Sequence, residues 1–196
     1  MKLFLDICLG IGLALAVGLR PFMPALLVCV LASENVGINF DHTDFSFLES
    51  PVFLVILVVA VVLLVLAERR LGPERVDSGP LGRAVLGVAL ALGALLFAGA
   101  LADDGYEWWP GLIGGVACAT IAVITARLFL RRIRARLDSE TAVALPAYAE
   151  AAALALAALS VFVPPVSLVF LAFLVWLLLR QRRREGEKYA GLRILR

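Results

Sequence analysis

Along this chain the apolar positions come in long unbroken runs rather than in alternation. Six runs stand out, near residues 3–32, 52–67, 82–102, 111–130, 146–163 and 165–180. A helix needs roughly 18 to 20 apolar residues to cross the hydrocarbon of a bilayer. A membrane strand would instead alternate apolar and polar over about ten residues, and VFLVILVVAVVLLVLA does not alternate. The pattern predicts an all-α, polytopic transmembrane helical bundle of about six spans. Residues 1–180 would form a single membrane domain, and residues 181–196 a basic cytoplasmic tail.

The links between the runs alternate in charge. Residues 33–50 carry Glu34, Asp41, Asp44 and Glu49 and no Lys or Arg, whereas 68–83 carry Arg69, Arg70, Arg75 and Arg83. DDGYEWWPG is acidic again, RRIRAR at 131–136 is basic, Pro164–Pro165 makes a tight turn, and RQRRREGEK is basic. Lys and Arg accumulate on the cytoplasmic side of membrane proteins. Six spans with these links put both termini in the cytoplasm of a multi-pass protein of the inner (plasma) membrane. Trp108, Trp109 and Tyr106 then belong to the outer interfacial belt. Six spans also fall into two sets of three of opposite orientation, the parity of an inverted repeat. AVGLRPF (16–22) and ITARLFL (124–130) echo one another in placing Arg two residues before Phe.

Composition agrees with the runs. The 196 residues are 62% hydrophobic, with a mean hydropathy of +0.98, well above the roughly 45–50% apolar content of soluble domains. The net charge of +2 gives no case for nucleic acid, and every basic cluster flanks a span. Cys8, Cys29 and Cys118 lie inside apolar runs, where free cysteine behaves as a small hydrophobe. His42, the only histidine, falls in a polar link. No spacing of Cys, His or carboxylates predicts a metal, and no cofactor is expected. Lys2 and an apolar stretch with small residues resemble a signal peptide, but Asp6 and the renewed run at 21–32 favour a retained first span.

The first run is the unusual one. As one helix its 30 or so residues would extend about 45 Å at 1.5 Å per residue, against about 30 Å of hydrocarbon. Pro21 and Pro24 each remove a helical N–H, and Gly18 supplies conformational freedom. Two half-helices are therefore predicted, near 3–17 and 21–32, joined at Gly18–Arg20. Pro21 suits a first helical turn, and the free N–H groups and dipole of the second half-helix would face the break together with Arg20. Gly18, Arg20, Pro21 and Pro24 thus outline a site for an anionic small molecule, a lipid head group or an acidic side chain. The alternative is a proline kink with Arg20 snorkelling to the interface.

Glu150, in LPAYAEAAALALAAL, is the leading acid to answer Arg20, unless the fifth span starts late and leaves it interfacial. Asp6 reads as interfacial, and Glu68, beside Arg69 and Arg70, as locally paired. The alanines around Glu150 and the glycines Gly87, Gly93, Gly99, Gly111, Gly114 and Gly115 are packing signals.

On these pieces the chain resembles the bacterial membrane family called domain of unknown function 4126. The resemblance rests on GIGLALAVGLRPFMPALL (10–27), which is similar to the family's Gly-Leu-Arg-Ala-Phe-Leu-Pro signature, on SPVFLVILVVAVVLLVLAE (50–68) and on AYAEAAALALAAL (147–159). Where the family often shows Glu-Asp, this chain has Glu150 followed by Ala151. The resemblance implies fold and topology and carries no activity.

Three functions compete. A small transporter, channel or lipid translocase would handle an anionic solute or head group at Arg20. A non-catalytic structural or assembly protein, alone or as a homo-oligomer, would use the same residues for packing. A lipid-modifying enzyme would need acid–base or metal groups within reach of one another. The chain offers no HExxH and no His pair.

Overall fold

A computed structural model describes residues 1–72, 79–134 and 144–190. The described residues form seven α-helices and no strand: α1 Lys2–Leu19, α2 Phe22–Ser33, α3 Pro51–Leu71, α4 Pro80–Asp103, α5 Trp109–Arg134, α6 Leu145–Phe162 and α7 Val166–Ala190, with a 3-10 turn at Ser46–Glu49. By length and composition α1, α3, α4, α5 and α6 can each cross a membrane, and α7 adds the shorter apolar stretch Val166–Arg180. The chain is a multi-pass helical membrane protein with about six full spans. Arg75 and Arg136 of the basic links, and residues 191–196 of the expected tail, lie outside the described residues.

α1 is the axis of the bundle. Every residue from Cys8 to Gly18 is buried, against α4, α5, α6 and α7. Small residues permit this by letting backbones approach. A Cβ on Gly12 would lie 2.0 Å from Ser160 Oγ, and one on Gly18 would lie 2.7 Å from the Ala119 carbonyl oxygen. Gly18 was expected to supply a flexible joint. It is helical and serves close packing instead. Gly93 and Gly99 likewise face close neighbours, whereas Gly87 faces none within 4 Å.

The first run is interrupted, two residues later than its sequence predicts. Arg20 is extended (φ −148°, ψ 117°) and its N–H makes the last α1 bond, to the Ala16 carbonyl at 3.1 Å. The residue before a proline is pushed out of the helical region, and Pro21 cannot bond back to Val17. Beyond this corner the chain reverses. α2 covers about 18 Å, after which the Asn39 N–H donates to Asp103 Oδ2 (3.3 Å). A Cβ on Gly99 would meet the Phe40 ring at 2.6 Å. Asp103 and Gly99 lie at the end of the bundle where α1 begins, because Lys2 Nζ pairs with Asp104 Oδ1 at 3.1 Å. α1 and α2 therefore form a helical hairpin with Arg20–Pro21 as its corner, not two halves of one span.

The hairpin puts Lys2 at the end of the bundle opposite Arg20. The acidic link 34–50, Asp103, Asp104, Trp108 and Lys2 share one end of the bundle, whereas Arg20, Arg69, Arg70, Arg83 and Arg131 share the other. α7 starts at the acidic end and runs back toward the arginine-rich end. Cysteines at Lys2 and Asp44 should be labelled from the same face of sealed vesicles, and a cysteine at Arg131 from the opposite face. Labelling of positions 2 and 131 from one face would contradict the hairpin.

Two of the helices that finish at the acidic end close alike. After α2, Asn35 takes a positive φ of 56° while Asn35 and Val36 N–H bond back to Ala32 and Leu31. After α4, Gly105 (φ 77°) does the same with Ala102, and Tyr106 with Leu101. This is the usual left-handed helix stop. α1 has no such stop, and its corner is made by proline alone. α3 begins with Pro51 behind Ser50, whose Oγ accepts from the Phe53 N–H (3.2 Å), a standard cap. Between α2 and α3, Ile38, Phe40, Phe45 and Leu48 are buried and plug the acidic end.

α3 stands at the rim. Leu57 is its only buried residue among those described, and Val52, Val55, Ile56, Val59, Val62 and Leu63 are exposed, as suits a helix facing lipid. It packs chiefly on α2 and the 3-10 turn.

Candidate functional site

The corner carries the chain's most deeply buried charge among the described residues. Arg20 is 8% exposed, which in hydrocarbon costs several kcal/mol unless it is answered. Its answer comes from two other helices. Nη1 meets Glu68 Oε1, near the end of α3, at 2.6 Å, and Nε lies 3.6 Å from Glu150 Oε2 on the second turn of α6. The first contact is a short, charge-assisted hydrogen bond; the second is an ion pair beyond hydrogen-bond length.

Glu150 thus sits beside Arg20, with Pro21 and Pro24 buried at the same corner. Glu68 is the partner that sequence reasoning misassigned to Arg69 and Arg70. Both arginines are exposed, and successive helical residues point to different faces. That geometry was the available signal: an acid closing an apolar helix cannot pair well with its immediate successors.

Of the occupants expected at the corner, the described residues supply acidic side chains. Arg20 is paired twice within the protein, and one guanidinium between two carboxylates leaves an excess of negative charge. The echo between Arg20 and Arg127 does not extend to their partners, since Arg127 Nη2 donates to the Gly82 carbonyl at 3.0 Å.

The acidic end holds a second polar gathering. Beyond the Lys2–Asp104 pair, Glu49 Oε1 accepts the Phe40 N–H. Burial raises the Glu49 carboxyl above the usual carboxylate range; the Phe40 bond opposes this, and Asp41 and Asp103 add to it. Asp6 Oδ2 is buried with no hydrogen-bond partner among the described residues. His42 is exposed, and Cys8, Cys29 and Cys118 are free and buried.

With this geometry in hand, comparison with known proteins gives one match. The model of the domain of unknown function DUF4126 covers residues 7–184. The chain belongs to the DUF4126 family. The matched region contains the whole hairpin corner and both acids that answer it. No curated protein and no solved structure matches the chain. DUF4126 membership therefore supports the helical membrane architecture and leaves the chemistry of the corner to be argued from its residues.

Proposed function

We propose that this DUF4126 protein is a small transporter or lipid translocase of the plasma membrane, with Arg20 as the handle for an anionic solute or head group. One observation carries the reading. Arg20 is buried at a hairpin corner and held by carboxylates from two separate helices. A carboxylate mimics the oxygens of an anionic ligand and is displaced by a better one, since guanidinium pairs bidentately with carboxylate and phosphate alike. Gly18, Pro21 and Pro24 shape the corner, and Glu68 and Glu150 occupy the guanidinium between events. The arginine-rich end would face the cytoplasm by its charge.

A structural reading has its own support. The unbroken burial of Cys8–Gly18 and the small-residue contacts of α1 are what a packed scaffold needs. In that reading the two acids fix α3 and α6 on the corner and nothing is moved.

Liposomes containing the purified chain separate the two. The probes are labelled inorganic phosphate and a fluorescent phosphatidylglycerol whose leaflet is read by chemical quenching. A transporter should move one probe, and Arg20→Lys should slow it at least tenfold by losing the planar fork. Movement of neither probe by a well-folded parent would leave the scaffold reading. Equal movement by parent and Arg20→Lys would reject Arg20 as the handle.

A further inference from the structure

We infer that the carboxylate pair around Arg20 is a proton-binding site, with Glu150 carrying one exchangeable proton and Glu68 remaining the charged partner of Arg20. This deepens the proposed function, because it names the coupling ion that an anion at Arg20 would require.

Charge conservation at the corner comes first. Arg20 stays protonated at any physiological pH, so both acids in their ionised form give one positive and two negative charges at the end of a hydrophobic bundle. Two carboxylates sharing one site repel each other, and neutralising one relieves this. One proton restores a one-to-one pair: an O–H bond forms on the Glu150 carboxylate as a hydronium O–H bond breaks and water leaves.

The geometry distinguishes the two acids. Glu68 Oε1 is hydrogen-bonded to Nη1 at 2.6 Å, whereas Glu150 Oε2 stands 3.6 Å from Nε. The Glu150 side chain is also the more exposed, 25% against 18%, so the looser carboxylate is the one that water reaches more readily. Arg20 is the cation that both acids contact. On α3, Arg69 and Arg70 are exposed. Of the elements that pack on α3, α2 bears no charge and the 3-10 turn bears Glu49, toward the acidic end, as is Glu34 just after α2. Around α6, the remaining charges of α1 are Lys2 and Asp6 at the far end, and α7 presents Arg180, which lies over the Trp176 ring at 5.1 Å. Tyr148, close to Glu150 in sequence, is 72% exposed.

A proton fits this donor set better than a metal ion does. Hard cations take six or more oxygen ligands, and among the described residues no group of three or more His, Cys, Asp or Glu side chains is placed to hold a metal ion. A proton needs a single oxygen. An anion reaching Arg20 while both acids are ionised would add negative charge to a site already in excess. Under the transport reading, proton uptake would therefore accompany anion binding.

The test uses the full chain in phosphatidylcholine nanodiscs and infrared difference spectra recorded across a pH titration, read at the carboxylic-acid carbonyl stretch. The parent should show a titrating band that Glu150→Gln abolishes and Asp44→Asn leaves in place. Glu68→Gln supplies a readout that misfolding would not imitate. The remaining acid then pairs one-to-one with Arg20 and stays ionised, so the band should disappear from the pH range where it titrates in the parent. A band unchanged in Glu150→Gln overturns the site, and a band unchanged in Glu68→Gln overturns its coupling to the second acid. Phosphate uptake driven by a pH gradient is measured separately in liposomes. A titrating band without uptake of either probe would keep the proton site and reject the transport reading.

Discussion

Replacing Arg20 by alanine is expected to destabilise the protein by about 3–5 kcal/mol, the usual effect of removing one partner from a buried ion pair. That is a large share of the roughly 5–15 kcal/mol that holds a domain folded. Alanine would leave Glu68 and Glu150 facing each other at the corner without a cation. Adding Glu68→Gln and Glu150→Gln to the Arg20→Ala chain should recover most of the loss, because no carboxyl group is then left at the corner without its cation. Thermal unfolding of the purified chains in detergent reads both effects. An Arg20→Ala protein as stable as the parent would mean that Arg20 snorkels to water and that the buried network does not form.

The second large effect lies away from the site. Gly115 of α5 faces α4 so closely that a Cβ would stand 2.4 Å from the Gly93 carbonyl oxygen and 2.6 Å from Ala94 Cα. These are backbone atoms and cannot rotate aside. Gly115→Val should force α4 and α5 apart, costing about 3 kcal/mol or more, at the upper end of what overpacking does. Gly87→Val, on α4 but with nothing within 4 Å, is the control and should unfold near the parental temperature. Equal unfolding temperatures for the two variants would mean that α4 and α5 do not pack through Gly93 and Gly115.

Much of this architecture was legible in the residues. Uninterrupted apolar runs locate the membrane helices because the bilayer leaves the backbone no partner but itself. Pro21 and Pro24 mark the interruption because neither can donate. The direction of the chain after the interruption was not legible. A kink and a hairpin need the same prolines. The contacts that decide between them, Asn39 to Asp103 and Lys2 to Asp104, join residues far apart in sequence. Gly18 was misread for a related reason, since freedom to bend and freedom to be approached both call for glycine. Glu150 was recognisable as an acid inside an apolar helix. Glu68 stood beside two arginines that masked it, and only the three-dimensional fold brings it to Arg20.

One guanidinium at the hairpin corner is held from two helices at once. Double-mutant cycles test it most directly, with unfolding free energies of Arg20→Ala, Glu68→Gln and Glu150→Gln measured singly and in pairs under one condition. Coupling of about 0.5–3 kcal/mol is expected between Arg20 and Glu68, the range found for contacting or networked residues. A smaller but nonzero coupling is expected between Arg20 and Glu150, in keeping with 2.6 Å against 3.6 Å. Additive effects, with no coupling between Arg20 and either acid, would contradict it.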